Sequence, residues 1–524
     1  MIRGILVFSV ALGFGCGGEE TVGSGASTVI PPTSETSRGI TVGGPQDIAL
    51  FRQIVERGEV PSPDTLDPIG FFAEHAVDLP PANCGTELCV YPMFTVMPTF
   101  AGGNWTMAYV ALHTPVDPRE LERPPMHMIV VVENAADVPW LREGLELAAR
   151  TLAVALRSTD RISIVAFGET PQVLVTAAGP RDRALALALD QFGNLPQTES
   201  ADLYSALAEG DRLAQDVPGF ENASRLILVT TGRANSGISN HDRIISRGVA
   251  IAQSGTSISV VGMGDAYEPP IAEALGFLGA GSYSYAQDGA DLENIFGQEG
   301  STALFPLAAD LSVTVEAAPG YRLGRTFGTR GVIVQGHVAG FESPQVFLAQ
   351  REGSSDPGNG RRGGGSGLFV ELIATGEETN RERPAFTVSA TWQHPQTRAN
   401  ASTTASIVNP LSPGQNPDGM WPHFSDPDRG KVFMMLNMYL ALRAIVRFFD
   451  AGDCARALGV TNMMQLSIDG FQSRYTDPDI AADHLLMQAL DENVLDGCID
   501  MSPVPPEPIL PIDSTGSESG CGFL

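Results

Sequence analysis

Met128-Ile129-Val130-Val131-Val132 is a continuous apolar run of strand length, and its surroundings decide the fold. Alternating polarity would mark a strand with one wet face, whereas an unbroken apolar run marks a strand covered on both. Leu141, Leu145, Ala148, Leu152 and Leu156 follow at helical spacing, and Arg161-Ile162-Ser163-Ile164-Val165-Ala166-Phe167 is the next strand. Leu226-Ile227-Leu228-Val229-Thr230 and Ile258-Ser259-Val260-Val261-Gly262 repeat the pattern, with helices between them. Buried strands alternating with amphipathic helices predict a doubly wound, largely parallel α/β sheet over residues 123–302. Function in such sheets gathers in the loops at the carboxyl ends of the strands.

Outward from this unit the periodicity changes. After about residue 305, Leu311, Val313 and Val315 alternate with polar residues, as do stretches at 332–334, 346–348, 369–372 and 386–390, which predicts a β-sandwich over 303–410. On the other side, Ile48, Phe51, Ile54 and Val55 predict a helix stopped by Gly58, and 90–97 and 105–112 predict two strands with a turn at Gly102-Gly103-Asn104. Residues 45–122 thus form an α/β segment packed with the sandwich. Residues 426–500 are helical, with elements at 461–476 and 478–493 behind a very apolar stretch at 432–449. Asn437, Arg443 and Arg447 inside that stretch would be costly at mid-bilayer, so it reads as a buried amphipathic helix. The Gly-rich loop at 351–367, with three arginines, reads as solvated. Residues 17–44 read as a flexible linker and 501–524 as a disordered tail, both rich in Gly, Ser and Pro. The 524 residues are too many for one ordinary core, in keeping with this multidomain α/β organisation.

Charge and cysteines narrow the function. With 32 Lys and Arg against 61 Asp and Glu, the formal charge of -29 repels phosphate backbones and argues against nucleic acid as a partner. Met1-Ile2-Arg3 supplies one positive charge ahead of an apolar run at 4–14 that is too short to span a bilayer, ending in Gly15-Cys16-Gly17. This predicts export. Cys84 and Cys89 flank a short loop, Cys454 and Cys498 flank the helical region, and both pairs are candidate disulfides outside the cytosol. A metal site is the competing reading, but no His stands at ligand spacing near either pair. Cys521 is left over.

The N-terminus resembles a bacterial lipoprotein signal spanning residues 1–16, which implies lipidation at Cys16. It departs from that pattern in having Gly13 three residues before the Cys, where an aliphatic residue is usual. An ordinary secretory signal with an incidental Cys is the alternative, and either one exports the chain to the bacterial cell envelope.

Residues 123–302 resemble a von Willebrand factor type A domain, most specifically at 160–167, 225–235, 258–265 and 279–285. Residues 58–72 and Leu121-Glu122-Arg123-Pro124-Pro125 resemble the N-terminal segment of a bacterial lipoprotein branch of that family. Ala309-Asp310-Leu311-Ser312-Val313-Thr314-Val315 and Tyr321-Arg322-Leu323 resemble its following β region. The family holds Mg²⁺ or a similar cation through Asp-x-Ser-x-Ser, a Thr and an Asp on three loops, leaving one coordination position for a partner's carboxylate. Here the first loop reads Glu133-Asn134-Ala135-Ala136-Asp137, with Glu133 at the Asp position and Ala135 and Asp137 at the Ser positions. Ala201, in Ser200-Ala201-Asp202, stands where the Thr would be, and a one-residue shift would restore Ser200. Thr231 stands at the third-loop Asp position, with Arg233 close by. The resemblance therefore implies a degenerate metal site, with no metal or cofactor. The alternative is a rebuilt site in which Glu133, Asp137 and Asp202 converge on Ca²⁺ or Mg²⁺.

Enzyme signatures are missing. The chain has no Gly-x-Ser-x-Gly elbow, no Gly-x-x-x-x-Gly-Lys-Ser/Thr loop and no His-Glu-x-x-His. His241-Asp242 reads as a helix start, and no small-molecule substrate is indicated. The leading expectation is a non-enzymatic envelope protein that binds or scaffolds a protein partner, touching the membrane through its lipid anchor alone. Glu133, Asn134, Asp137, Asp202, Thr231 and Arg233 are the partner-binding candidates, with Arg233 replacing the cation as a carboxylate receptor. A cation-dependent adhesion module and an envelope enzyme without a recognisable motif are the alternatives.

Overall fold

The computed structural model describes residues 37–98, 104–117, 123–220, 223–278, 280–300, 306–349, 351, 364–375, 383–409 and 427–499. The segment before the central unit contributes β1 (Arg38–Val42), α1 (Ala49–Glu56), α2 (Pro68–Ala73), β2 (Cys89–Pro98) and β3 (Asn104–Thr114). The central unit contains β4 (His127–Glu133), α3 (Leu141–Ala155), β5 (Arg161–Phe167), β6 (Gln172–Ala178), α4 (Arg183–Asn194), α5 (Leu203–Asp216), β7 (Ser224–Thr230), α6 (His241–Gln253), β8 (Ser257–Met263), α7 (Pro269–Gly276), β9 (Ser282–Ala286) and α8 (Gly289–Gln298). Beyond it lie β10 (Pro306–Ala317), β11 (Tyr321–Phe327), β12 (Ile333–Gln335), β13 (Val338–Leu348), β14 (Gly367–Ala374), β15 (Pro384–Gln393) and β16 (Asn400–Val408). The chain then turns helical, with α9 (Pro427–Asp450), α10 (Cys454–Gln472) and α11 (Pro478–Ile499).

The central sheet runs β6-β5-β4-β7-β8-β9, parallel except for the antiparallel edge strand β6. Every residue of β4, β7 and β8 is buried, as their unbroken apolar runs require. Alternate side chains serve opposite cores. Met128, Val130 and Val132 join Leu141, Leu145, Leu152 and Phe296 on one face. Ile129 and Val131 join Leu203, Leu207, Ile244 and Leu275 on the other.

The second architecture is an antiparallel sandwich in which β11, β14, β3 and β2 form one layer and β13, β10, β15 and β16 the other. Strand β1 joins the layers, pairing with β3 through Arg38 and Gly39 and with β13 through Ile40, Thr41 and Val42. Phe94, Val110, Val313, Val370 and Phe386 meet between the layers. The sandwich is thus assembled from both ends of the chain's folded part, and the central unit is inserted between β3 and β10. Residues 45–122 do not merely pack against the sandwich, as the sequence suggested; β2 and β3 are two of its strands.

Strand β1 also corrects the linker expected at 17–44. A Gly-, Ser- and Thr-rich composition hides a five-residue strand whose Ile40 is fully buried. Residues 17–36 of that linker, the signal with Cys16, the turn at Gly102-Gly103 and the tail with Cys521 lie outside the described residues. So does most of the loop at 351–367, but its Arg351 is described and is not solvated. It is buried, donating to Asp479 at 2.9 Å and to the Glu74 carbonyl at 2.9 Å.

Helix α9 covers the outer face of the β3 layer, where Trp105, Met107, Tyr109 and Phe369 share a core with Met435, Tyr439 and Leu442, and α10 and α11 pack against α9. Helix α9 is long and apolar enough to cross a membrane, yet its most apolar stretch is 78% buried within the protein. Helix α10 begins at Cys454, seven residues ahead of the expected start, because Asp453 caps it by accepting from the Arg456 amide at 3.1 Å. Disulfides join Cys84 to Cys89 and Cys454 to Cys498, the latter fastening the start of α10 to the end of α11.

Candidate functional site

Strand β4 ends on Glu133, whose side chain is fully buried at the carboxyl edge of the sheet. An ionised carboxylate there needs donors, and the adjacent end of β7 supplies them. Thr230 Oγ1 donates to Oε2 at 2.7 Å, and the Thr231 amide donates to the same oxygen at 2.8 Å. Thr231 Oγ1 lies 2.8 Å from Oε1. Burial pushes the Glu133 carboxyl above its ordinary range, while both threonines and the nearby Arg233 pull it back.

Gly232, at φ +77°, turns the chain immediately after Thr231; a side chain there would run into the Glu268 carbonyl. The turn lays Arg233 over the carboxylate. Its Nε donates to Thr231 Oγ1 at 3.0 Å, its Nη2 donates to Asp137 Oδ1 at 2.8 Å, and Nη2 stands 3.8 Å from Glu133 Oε1. Asp137 comes from the loop after β4. The guanidinium therefore bridges a fully buried carboxylate and a carboxylate that is 37% exposed. The carboxylates that Arg233 meets here are the chain's own Glu133 and Asp137.

The remaining candidates frame this core. The Asn134 side-chain amide donates to the Pro196 carbonyl at 2.8 Å. Ala135 is fully buried in a bridge to Thr198. Ala201 is also fully buried, its amide donating to Asn235 Oδ1 at 2.7 Å. Asp202 caps α5, accepting from the Ser205 amide at 3.0 Å and the Ser205 hydroxyl at 2.7 Å. The structure thus brings Glu133, Thr231, Arg233 and Asp137 together and gives Asp202 a separate task. Sequence reasoning passed over Thr230, reading it as a strand end. The Thr-Thr pair next to a strand-end glutamate was the available signal, since two hydroxyls are what a buried carboxylate would need.

The cation bound by the family does not fit these residues. Two positions that would offer hydroxyl oxygens carry the buried methyl groups of Ala135 and Ala201. Both oxygens of Glu133 accept from protein donors, and a guanidinium lies where a further positive charge would be repelled. Among the described residues, no group of three or more His, Cys, Asp or Glu side chains is arranged to hold a metal. Glu133, Asp137 and Asp202 do not form the convergent trio of the rebuilt-site alternative.

The central sheet has the doubly wound order, reversing direction at β4, and this constellation sits at its carboxyl edge beside that reversal. The fold is that of a doubly wound α/β sheet with an antiparallel edge strand. No family model matches the chain. Among curated proteins it is similar to the uncharacterized protein YfbK of Escherichia coli K12, 22% identical over 279 residues, or 51% of this chain and 45% of that one. It is also similar to the uncharacterized protein sll0103 of Synechocystis, 24% identical over 181 residues, or 34% of this chain and 41% of that one. The matched region therefore spans less than half the length of either relative. Among solved structures, a von Willebrand factor type A protein from Catenulispora acidiphila gives a TM-score of 0.49 at 14% identity, covering 78% of this chain and 96% of that one. VWA2, the ArnB paralog of Sulfolobus acidocaldarius, gives 0.40 at 13% identity, covering 79% and 98%.

Proposed function

We propose that the chain is a non-enzymatic interaction or scaffolding protein of the bacterial envelope, whose type A-like domain docks a protein partner without a bridging metal. The observation that carries this reading is the Arg233 guanidinium, held between Glu133 and Asp137 at the carboxyl edge of the sheet. It supplies from within the chain the positive charge that a cation would bring. Glu169, Glu199, Asp265 and Glu268 are exposed in the neighbouring loops, so a partner with basic groups would be drawn to this face in a salt-dependent way. Export and lipidation at Cys16 belong to the same proposal. The two disulfides suit a compartment outside the cytosol.

Calorimetric titration of the protein with Mg²⁺, Ca²⁺ and Mn²⁺, with thermal melting alongside, tests the metal-free reading. No heat and no shift in melting temperature are expected. Stoichiometric binding that disappears in Asp137→Ala would replace this reading with cation-dependent adhesion. Lipidation is tested by radiolabelled palmitate: the chain should take up label in a bacterial host, and Cys16→Ser should not.

A further inference from the structure

Helix α11 is fastened to the first two helices by charged groups that are largely buried. Its Asp483 takes the Arg52 guanidinium of α1 on Oδ1 at 2.7 Å, and its Oδ2 stands 2.7 Å from Nε2 of His75, two residues past α2. Arg52 also donates through Nε to the Glu74 carboxylate at 3.1 Å. One turn earlier on α11, Asp479 accepts from Lys431 of α9 at 2.8 Å, from Arg351 at 2.9 Å and from the Ala76 amide at 3.2 Å. Lys431 reaches Asp477 as well, at 2.9 Å.

His75 and Asp483 are both fully shielded from solvent. The His75 ring packs on Phe71, centroids 4.8 Å apart, and its Nδ1 lies 2.9 Å from the Phe71 carbonyl oxygen. A carbonyl oxygen only accepts, so Nδ1 carries a hydrogen. An ionised carboxylate also only accepts, and a bare ring nitrogen 2.7 Å from it would set lone pair against lone pair. A hydrogen therefore lies between Nε2 and Oδ2, and the pair holds one proton more than a neutral ring and an ionised carboxylate. With that proton, and among the described residues, Arg52, Arg351, Lys431 and His75 balance Glu74, Asp477, Asp479 and Asp483; without it the carboxylates are in excess.

We propose that His75 and Asp483 form a proton-held latch between α2 and α11, and that losing the proton frees α11 from the first two helices. The surrounding charges are fixed. Burial works against the charge on Arg52, but Glu74 and Asp483 outweigh it and keep the guanidinium protonated. Burial also pushes Asp479 up, while Lys431, then His75 and Arg351, bring it below the ordinary range. Tyr439 of α9, beside Phe71, is pushed up by burial and stays neutral. Deprotonation leaves an uncompensated negative charge in a closed site. As α11 departs, Asn493 gives up the Val55 and Glu59 carbonyls that it holds at 2.8 and 2.9 Å.

Above the ordinary histidine value, opening gives up a proton, so rising pH opens the latch. Below that value the ring is protonated open or closed, and the latch is whole. Each pH unit above it weakens the latch by up to about tenfold.

Hydrogen exchange of the full chain, read by mass spectrometry and corrected for intrinsic rates, tests this in peptides covering residues 70–78 and 478–495. Their protection should fall roughly tenfold or more between about pH 6 and about pH 9, while that of β4 holds. Asp483→Asn offers the neutral ring an amide hydrogen in place of the proton, so its protection should not change with pH. His484→Gln, on the same helix but outside the latch, should keep the wild-type profile. In protein carrying nitrogen-15 histidine, one ring should show both nitrogens protonated at about pH 8, where a solvated ring is neutral, and that signal should vanish in His75→Gln. A flat wild-type profile, a profile abolished by His484→Gln, or continued loss of protection in Asp483→Asn would overturn the proposal. So would the absence of a doubly protonated ring that depends on His75.

Discussion

Glu133 pairs its buried oxygens with three donors on two consecutive residues, and its energetics follow from what its removal strands. Glu133→Ala leaves the Thr230 hydroxyl and the Thr231 amide buried without their acceptor and deprives Arg233 of one of its two carboxylates. The expected cost is about 3 kcal/mol, measured as a shift in the urea midpoint. Arg233→Ala acts on a more exposed pair, so solvent screening limits the direct loss to about 1 kcal/mol. Asp160 illustrates the opposite charge balance. Burial pushes its carboxyl up, but the Arg123 guanidinium and the Met126 and Arg157 amides outweigh that and hold it below the ordinary range. Its stabilisation is present above the ordinary aspartate value and is lost as pH falls through the lower folded one. Asp160→Asn should therefore flatten the acid limb of the melting curve, read by thermal denaturation across that range. At this scale the sequence showed which residues stand at the strand ends. It did not show that Asp137 and Arg233 pair with each other, because their loops lie 96 residues apart in the chain and meet only once β4 and β7 have paired.

Elements were legible in proportion to how completely their burial wrote itself into composition. Strands β4, β7 and β8 are covered on both faces and read directly as apolar runs. Strand β16 was missed: Asn400–Val408 lies at a sheet edge, and its half-buried side is carried mainly by the small Ala401, Thr403 and Ala405, with only Ile407 large. Strand β1 was missed because pairing on both sides, rather than side-chain mass, holds it. Helix α9 carries a prediction of its own. Lys431 is buried on it, 2.8 Å from Asp479 and 2.9 Å from Asp477, and also donates to the Ala76 carbonyl. Lys431→Met should cost about 3–5 kcal/mol in chemical denaturation, since it leaves buried carboxylates with less compensation. Arg351 remains beside Asp479, so the loss should stop short of unfolding the helical region.

At the scale of the whole molecule, three units share borders that are covalent, ionic and apolar. The Cys454–Cys498 bond closes a loop with a sequence separation of 44 residues. Chain entropy alone assigns it about 4 kcal/mol, so Cys454→Ser with Cys498→Ser should lower the melting temperature of the helical region. Differential scanning calorimetry would show whether that region melts as its own transition. The insertion of the doubly wound domain between β3 and β10 has a further consequence, one of time rather than energy. The Val42 amide finds its partner, the Ser366 hydroxyl, 324 residues later in the chain. As the polypeptide emerges from its amino end, β1, β2 and β3 are made first and must wait with open edges through the synthesis of an entire domain. The named strands of the insert pair only with one another, so the insert can fold before β10 is made. The sandwich therefore closes only after the insert has been made, and its waiting strands are exposed to misassembly with neighbouring chains.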